Sequence, residues 1–183
     1  MTGIAERFRR RADAFEALIA GTRPERWASA SPCEGWAARD IVAHIVGFFG
    51  DVLRDKAGVA SAPSRSTADD PAAAFRGIRE AVERVLDDPA TPAGVAKYLD
   101  AALSFDLPQH WWDLAKATGQ DTTMDPEEVE FLWASLSPMS PDWWKWQVDN
   151  GYYAPAVPVR EDAPLQDRVL GLIGRNPRWT PPS

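Results

Sequence analysis

The chain has 183 residues, with 20 Lys and Arg against 27 Asp and Glu and a formal net charge of −7. That length gives room for one domain with one sizeable core, and 45% hydrophobic with 26% charged residues describes a globular protein, not a disordered one. The acidic balance argues against nucleic acid or an anionic membrane as partner, because both recruit a clustered positive face. A single cysteine, Cys33, excludes an internal disulfide framework and suits a reducing compartment. Charges interrupt every apolar cluster of the opening MTGIAERFRRRADAF. No secretory or membrane-spanning segment can be drawn, and a soluble, cytoplasmic protein is expected.

Apolar residues at helical spacing, Ile4, Phe8, Ala12, Phe15, Leu18 and Ile19, predict a first amphipathic helix, with Gly21 as the residue just past its end. Ser31-Pro32-Cys33-Glu34 has the form of a capping box, which Gly35 makes into a short turn leading to a second helix. That helix carries the stripe Ile41, Ile45, Phe48, Phe49 and Val52, and His44 lies inside it. Residues 57–67 are small and polar around Pro63 and read as a loop. Asp70 as N-cap and Pro71 open a third helix through Phe75, Ile78, Val82, Val85 and Leu86. A fourth is expected from about Leu103 to Thr118, stopped by Gly119, and a fifth from Asp125-Pro126-Glu127-Glu128 onward. Ser140 to Trp146 can hold one more short helix, residues 152–161 read as extended, and Asp162 to Ile173 reads as a last helix. No run alternates with period two long enough to be a strand. The expectation is an all-α fold over residues 1–183, four long helices around one core with shorter pieces after them.

The chain has two histidines. His110 follows Asp106 by four residues, about 400° around an α-helix and about 6 Å along it, so the two side chains project from one face on successive turns. If the second and fourth helices pack side by side, His44 completes a set of two imidazoles and one carboxylate. A catalytic divalent ion takes about four ligands and leaves a position for water or substrate, which three protein ligands provide. Imidazole and carboxylate suit zinc, nickel or iron(II) alike, and with Cys33 outside the triad no sulfur ligation is implied. The bland alternative is a hydrogen-bonded core histidine and an Asp106 that caps a helix opened by Leu107 and Pro108. Pro108 between the two spaced residues favours a helix that starts or kinks there. Spacing alone leaves both readings open.

Ser31-Pro32-Cys33-Glu34-Gly35-Trp36 followed by Arg39-Asp40-Ile41-Val42-Ala43-His44 resembles the first metal-ligand motif of the mycothiol-dependent maleylpyruvate isomerase N-terminal domain family, within the wider DinB/YfiT-like group. Asp106-Leu107-Pro108-Gln109-His110-Trp111-Trp112-Asp113-Leu114-Ala115 resembles its second motif, an acid-x-x-x-His followed by Trp-Asp-Leu-Ala, although Pro108 departs from that pattern. The segments from Ala163 to Leu170 and from Gly174 to Trp179 resemble the close of an actinobacterial metal-binding branch. The resemblance implies a single DinB-like domain over residues 1–183: an up-down-down-up four-helix bundle with short C-terminal helices and an extended tail. It also implies a divalent metal, usually zinc, at one end. Residue by residue, it puts the ligands at His44, Asp106 and His110. The isomerase carries a further C-terminal domain for which this length has no room, so its reaction is not carried over by name.

Members of the group are linked to low-molecular-weight thiols such as mycothiol. The resemblance therefore implies a metal-dependent thiol S-transferase or isomerase acting on a small electrophile. A non-catalytic metal-binding or sensing module and a two-His-one-carboxylate iron enzyme are the alternatives. Other residues invite weaker roles. Asp40 and Asp113 can orient His44 and His110 or serve as ordinary helix acids. Trp111 and Trp112 can wall a pocket or fill the core. The Trp143-Trp144-Lys145-Trp146 cluster offers a substrate wall or the surface of a homodimer, with packing against the bundle as the expectation. Arg175 can meet an anion or form a structural ion pair, and Cys33 is expected to be a packed thiol.

Overall fold

The computed structural model describes residues 2–59 and 70–181. Among these the chain forms α1 (Thr2–Gly21), α2 (Ala38–Ala57), α3 (Pro71–Asp87), α4 (Ala93–Thr118), α5 (Pro126–Leu136), α6 (Pro141–Asp149) and α7 (Leu165–Leu172), with a 3₁₀ turn at Pro24–Arg26. No strand occurs among the described residues, only an isolated bridge between Ala30 and Ala37. No helix there is long and apolar enough to cross a membrane. Most of the loop expected over residues 57–67 lies outside the described residues. The chain divides into two compact units, residues 1–121 and 122–183.

In the first unit, α1 and α2 each pack against α3 and α4. Named contacts set the helix directions. Arg7 pairs with Asp100 and Arg11 donates to Ser104, so α1 and α4 run parallel. Arg9 pairs with Asp87, and Arg79 with Asp13 and Glu16, so α3 runs against α1. His44 faces Asp106 while Lys56 lies over Tyr98, so α2 runs against α4. The result is the up-down-down-up bundle. Its core is the expected stripes, Phe8, Ala12 and Phe15 of α1, Ile41, Ile45 and Phe49 of α2, Phe75, Ile78 and Val82 of α3, and Leu103, Leu107 and Leu114 of α4, joined by Leu99 from the unexpected first half of α4. Burying one such side chain contributes roughly 1.5–3 kcal/mol, which is why these stripes outweigh weak local signals.

α4 shows that most clearly. It begins at Ala93, ten residues before the expected start, and runs through Pro108 to Gly119, whose left-handed backbone ends it. Pro108 offers no N–H to the Ser104 carbonyl and costs about 3 kcal/mol inside a helix. From Leu103 to Thr118 twelve of the sixteen residues of α4 are buried, and that packing exceeds the local penalty. α1 also departs slightly from expectation. Gly21 is its last helical residue, not a left-handed cap, and a Cβ there would come within 2.6 Å of the Gln120 side chain.

The second unit is built from α5, α6, α7 and an extended segment. Asp125 caps α5 by accepting from Glu127 N–H, and Ser140 caps α6 by accepting from Trp143 N–H, both with proline at the first position. α7 starts at Leu165, three residues later than expected, and packs on α5, with Arg168 lying 4.3 Å from the Trp133 ring centre. No residue of α6 is buried. Instead Trp143 and Trp144 meet edge to face at 4.9 Å and Trp146 stacks on Tyr152 at 5.5 Å. Arg175 is buried and donates to the Ile173 carbonyl.

Candidate metal centre

The site lies where the N-terminal part of α2 meets the C-terminal half of α4. Ala37 N–H donates to Asp40 Oδ2 at 2.8 Å, so Asp40 caps the start of α2. α2 then presents His44 on its second turn, and α4 presents Asp106 and His110 on successive turns of one face. His44 Nε2 lies 3.2 Å from Asp106 Oδ2, and His110 Nε2 lies 3.7 Å from Asp106 Oδ1. The imidazole centres are 4.8 Å apart at 66°, and each of the three residues offers a donor atom within 4.8 Å of the others. Exposure rises across the group, with side chains 7% accessible at His110, 16% at Asp106 and 32% at His44.

A second group shares His110. Its Nδ1 lies 2.9 Å from Asp113 Oδ2, and Cys33 donates its S–H to the same oxygen at 3.2 Å. Asp113 is fully buried. Cys33, expected to be a packed thiol and with no histidine near it in sequence, lies beside the His110–Asp113 pair. The connection is built by backbone bonds. Ala38 N–H donates to the Ser29 carbonyl, Arg39 N–H to Trp27, and Ser31 N–H to Trp36. Trp36 N–H reaches back to the Cys33 carbonyl across a tight turn whose third residue, Gly35, has φ 78°, a backbone open to glycine at little cost. That turn places Cys33 and Trp36 at its two ends.

Both donor groups can be weighed by distance. An ion with ligands at about 2.0–2.1 Å in a tetrahedron sets nitrogen and oxygen donors about 3.3 Å apart, and a sulfur ligand at about 2.3 Å stands about 3.6 Å from its neighbours. The separations of 3.2 Å to Asp106 Oδ2 and 3.7 Å to Asp106 Oδ1 straddle the first value, the shorter one being also a hydrogen-bond length. The 2.9 and 3.2 Å separations at Asp113 fall short of what an ion between those atoms needs and are hydrogen-bond lengths. The donor chemistry and spacing of His44, Asp106 and His110 therefore fit a divalent cation, and Cys33, His110 and Asp113 form a hydrogen-bonded chain beside it.

Two aromatic residues with no expected role at the site, Trp36 and Phe48, border the imidazoles. Trp36 lies 5.0 Å from the His44 ring and stacks on His110 at 5.9 Å and 23°. Phe48, one turn beyond His44 on α2, lies parallel to that ring at 5.9 Å. Its spacing of four from His44 was a readable signal; the place of Trp36 depends on the turn. Trp112 is buried and carries Lys116 over its ring at 5.7 Å, and Trp111 packs against the core.

Residues 8–146 match the family described as the mycothiol maleylpyruvate isomerase N-terminal domain. The chain is also similar to an uncharacterized protein of Mycobacterium tuberculosis strain ATCC 25618 / H37Rv. The two are 29% identical over 179 residues, covering 91% of this chain and 94% of that protein. An uncharacterized protein of M. tuberculosis strain CDC 1551 / Oshkosh matches at the same identity and coverage. No solved structure matches the chain.

Proposed function

The chain belongs to this family, and from that premise we propose that it is a metal-dependent thiol S-transferase or isomerase acting on a small electrophile. His44, Asp106 and His110 hold a divalent cation, zinc by preference. The observation that carries this reading is the approach of two imidazole nitrogens to the two oxygens of one carboxylate at 3.2 and 3.7 Å, close to a tetrahedral edge, with His44 the most accessible of the three side chains. A cation bound there supplies Lewis acidity, stabilising the thiolate form of a bound thiol or polarising a carbonyl or water.

This chain's own residues set the terms of that chemistry. Two neutral imidazoles and one carboxylate leave a divalent ion with a single net positive charge, matched by one monoanionic ligand such as a thiolate. Asp106 is positioned by α4 to approach both imidazoles at once. Trp36 and Phe48 flank the His44 ring with apolar surface and limit water on that side. Mycothiol is the cosubstrate the family's description suggests. Incubation of zinc-loaded protein with mycothiol and a panel of electrophiles tests the reading. A thiol adduct or thiol-dependent isomerisation is expected, and the absence of both overturns it. The same donor set also suits iron(II), and metal analysis of protein purified without added metal separates the two ions.

A further inference from the structure

His110 is hydrogen-bonded at one ring nitrogen and turns the other toward Asp106. Nε2 faces Asp106, while Nδ1 sits 2.9 Å from the fully buried Asp113 carboxylate. A neutral imidazole has one N–H and one lone pair, and the partner of one nitrogen decides which the other carries. An ionised carboxylate only accepts, so Asp113 fixes the proton on Nδ1 and leaves the lone pair on Nε2, the nitrogen that faces Asp106. The Cys33 S–H donates to the same Oδ2 and ties that oxygen to the 33–36 turn, while Trp36, at the other end of the turn, stacks on the His110 ring.

Resting on the metal reading above, we infer that Asp113 is a positioning residue for the metal centre and that Cys33 is its outer support. Asp113 sets the tautomer and ring angle of His110, and the turn carrying Cys33 and Trp36 braces that arrangement from a separate part of the chain. The metal affinity of His44, Asp106 and His110 thus depends on two residues that do not touch the ion. Partners of this kind typically contribute about tenfold to a hundredfold in metal affinity.

The test is zinc affinity by chelator competition on the full chain, together with the cobalt(II) absorption spectrum, for wild type, Asp113→Ala, Asp113→Asn, Cys33→Ala and Cys33→Ser. Asp113→Ala is expected to bind one equivalent of zinc about tenfold to a hundredfold more weakly, with an altered cobalt spectrum. Asp113→Asn keeps an acceptor oxygen without the charge and is expected to lose less. Cys33→Ala is expected to weaken binding by less than Asp113→Ala, and Cys33→Ser, which keeps a donor, to recover most of that loss. A purely structural role predicts lower stability of the metal-free protein with affinity and cobalt spectrum unchanged, and that result overturns the inference. If Asp113→Ala does not fold, Asp113→Asn decides: weaker binding supports the positioning role, and wild-type affinity overturns it. A wild type that binds no zinc instead overturns the metal reading itself, and this inference with it.

Discussion

Two polar clusters in the four-helix unit differ in whether a cation is part of them. At Arg79, Asp13 and Glu16 of α1 and Glu83 of α3 close on one guanidinium. Burial works against that charge, but the hydrogen bonds the guanidinium donates to Glu83, Asp13 and Glu16 outweigh it and hold it above its ordinary value. In the second cluster, His44, Asp106 and His110 converge through two imidazole nitrogens and a carboxylate, atoms that donate electron pairs. The first cluster contains the cation that organises it, whereas the second, on the proposed reading, takes one from solution. A polar cluster at helical spacing is therefore not in itself a metal site; the chemistry of the atoms that meet decides.

The largest effect that can break this contrast is His110→Ala, expected to abolish stoichiometric zinc binding with far-UV helicity largely retained. A full equivalent of zinc in the variant, measured by elemental analysis, contradicts the assignment. Arg79→Leu is expected to do the reverse. With the Arg79 side chain 18% accessible and three carboxylates left facing one another, about 1–3 kcal/mol of stability is lost in urea unfolding while zinc affinity is unchanged. The raised Arg79 value keeps its contribution present at every pH below the ordinary arginine range, so the loss should be flat across neutral pH. Asp40→Ala is smaller still, removing the acceptor for Ala37 N–H at the start of α2 at a cost of about 0.5–1 kcal/mol. Weakened zinc binding in that variant would make Asp40 a support of His44 and not merely a cap. The smallest effect belongs to Asp162, held below the usual carboxylate range by its hydrogen bond from Arg160. A depressed carboxyl contributes stability above its unfolded value and loses it as the pH falls, but the pair is on the surface. Asp162→Asn should leave the acid limb of the thermal-unfolding profile unmoved.

Much of this is legible in the sequence. The bundle followed from stripes such as Ile41, Ile45 and Phe49, and the Asp106–His110 pair from a spacing of four. The long N-terminal half of α4 was not legible, because Pro108 and the small residues around Gly94 argue locally against a helix, while burial of Leu99, Leu103 and Leu107 favours one. Nor were the places of Cys33 and Trp36 legible. They depend on bonds from Ala38 to Ser29 and from Arg39 to Trp27, contacts that no periodicity encodes. Asp113 was readable as an acid three residues after His110, but its complete burial was not.

The central claim is that His44, Asp106 and His110, not Cys33, hold the ion. X-ray absorption at the zinc edge, on protein loaded with one equivalent of zinc and no added thiol, tests it most directly. The account predicts a shell of nitrogen and oxygen at about 2.0–2.1 Å with the scattering of two imidazoles and no sulfur. A sulfur scatterer at about 2.3 Å, or a shell without imidazole, contradicts it.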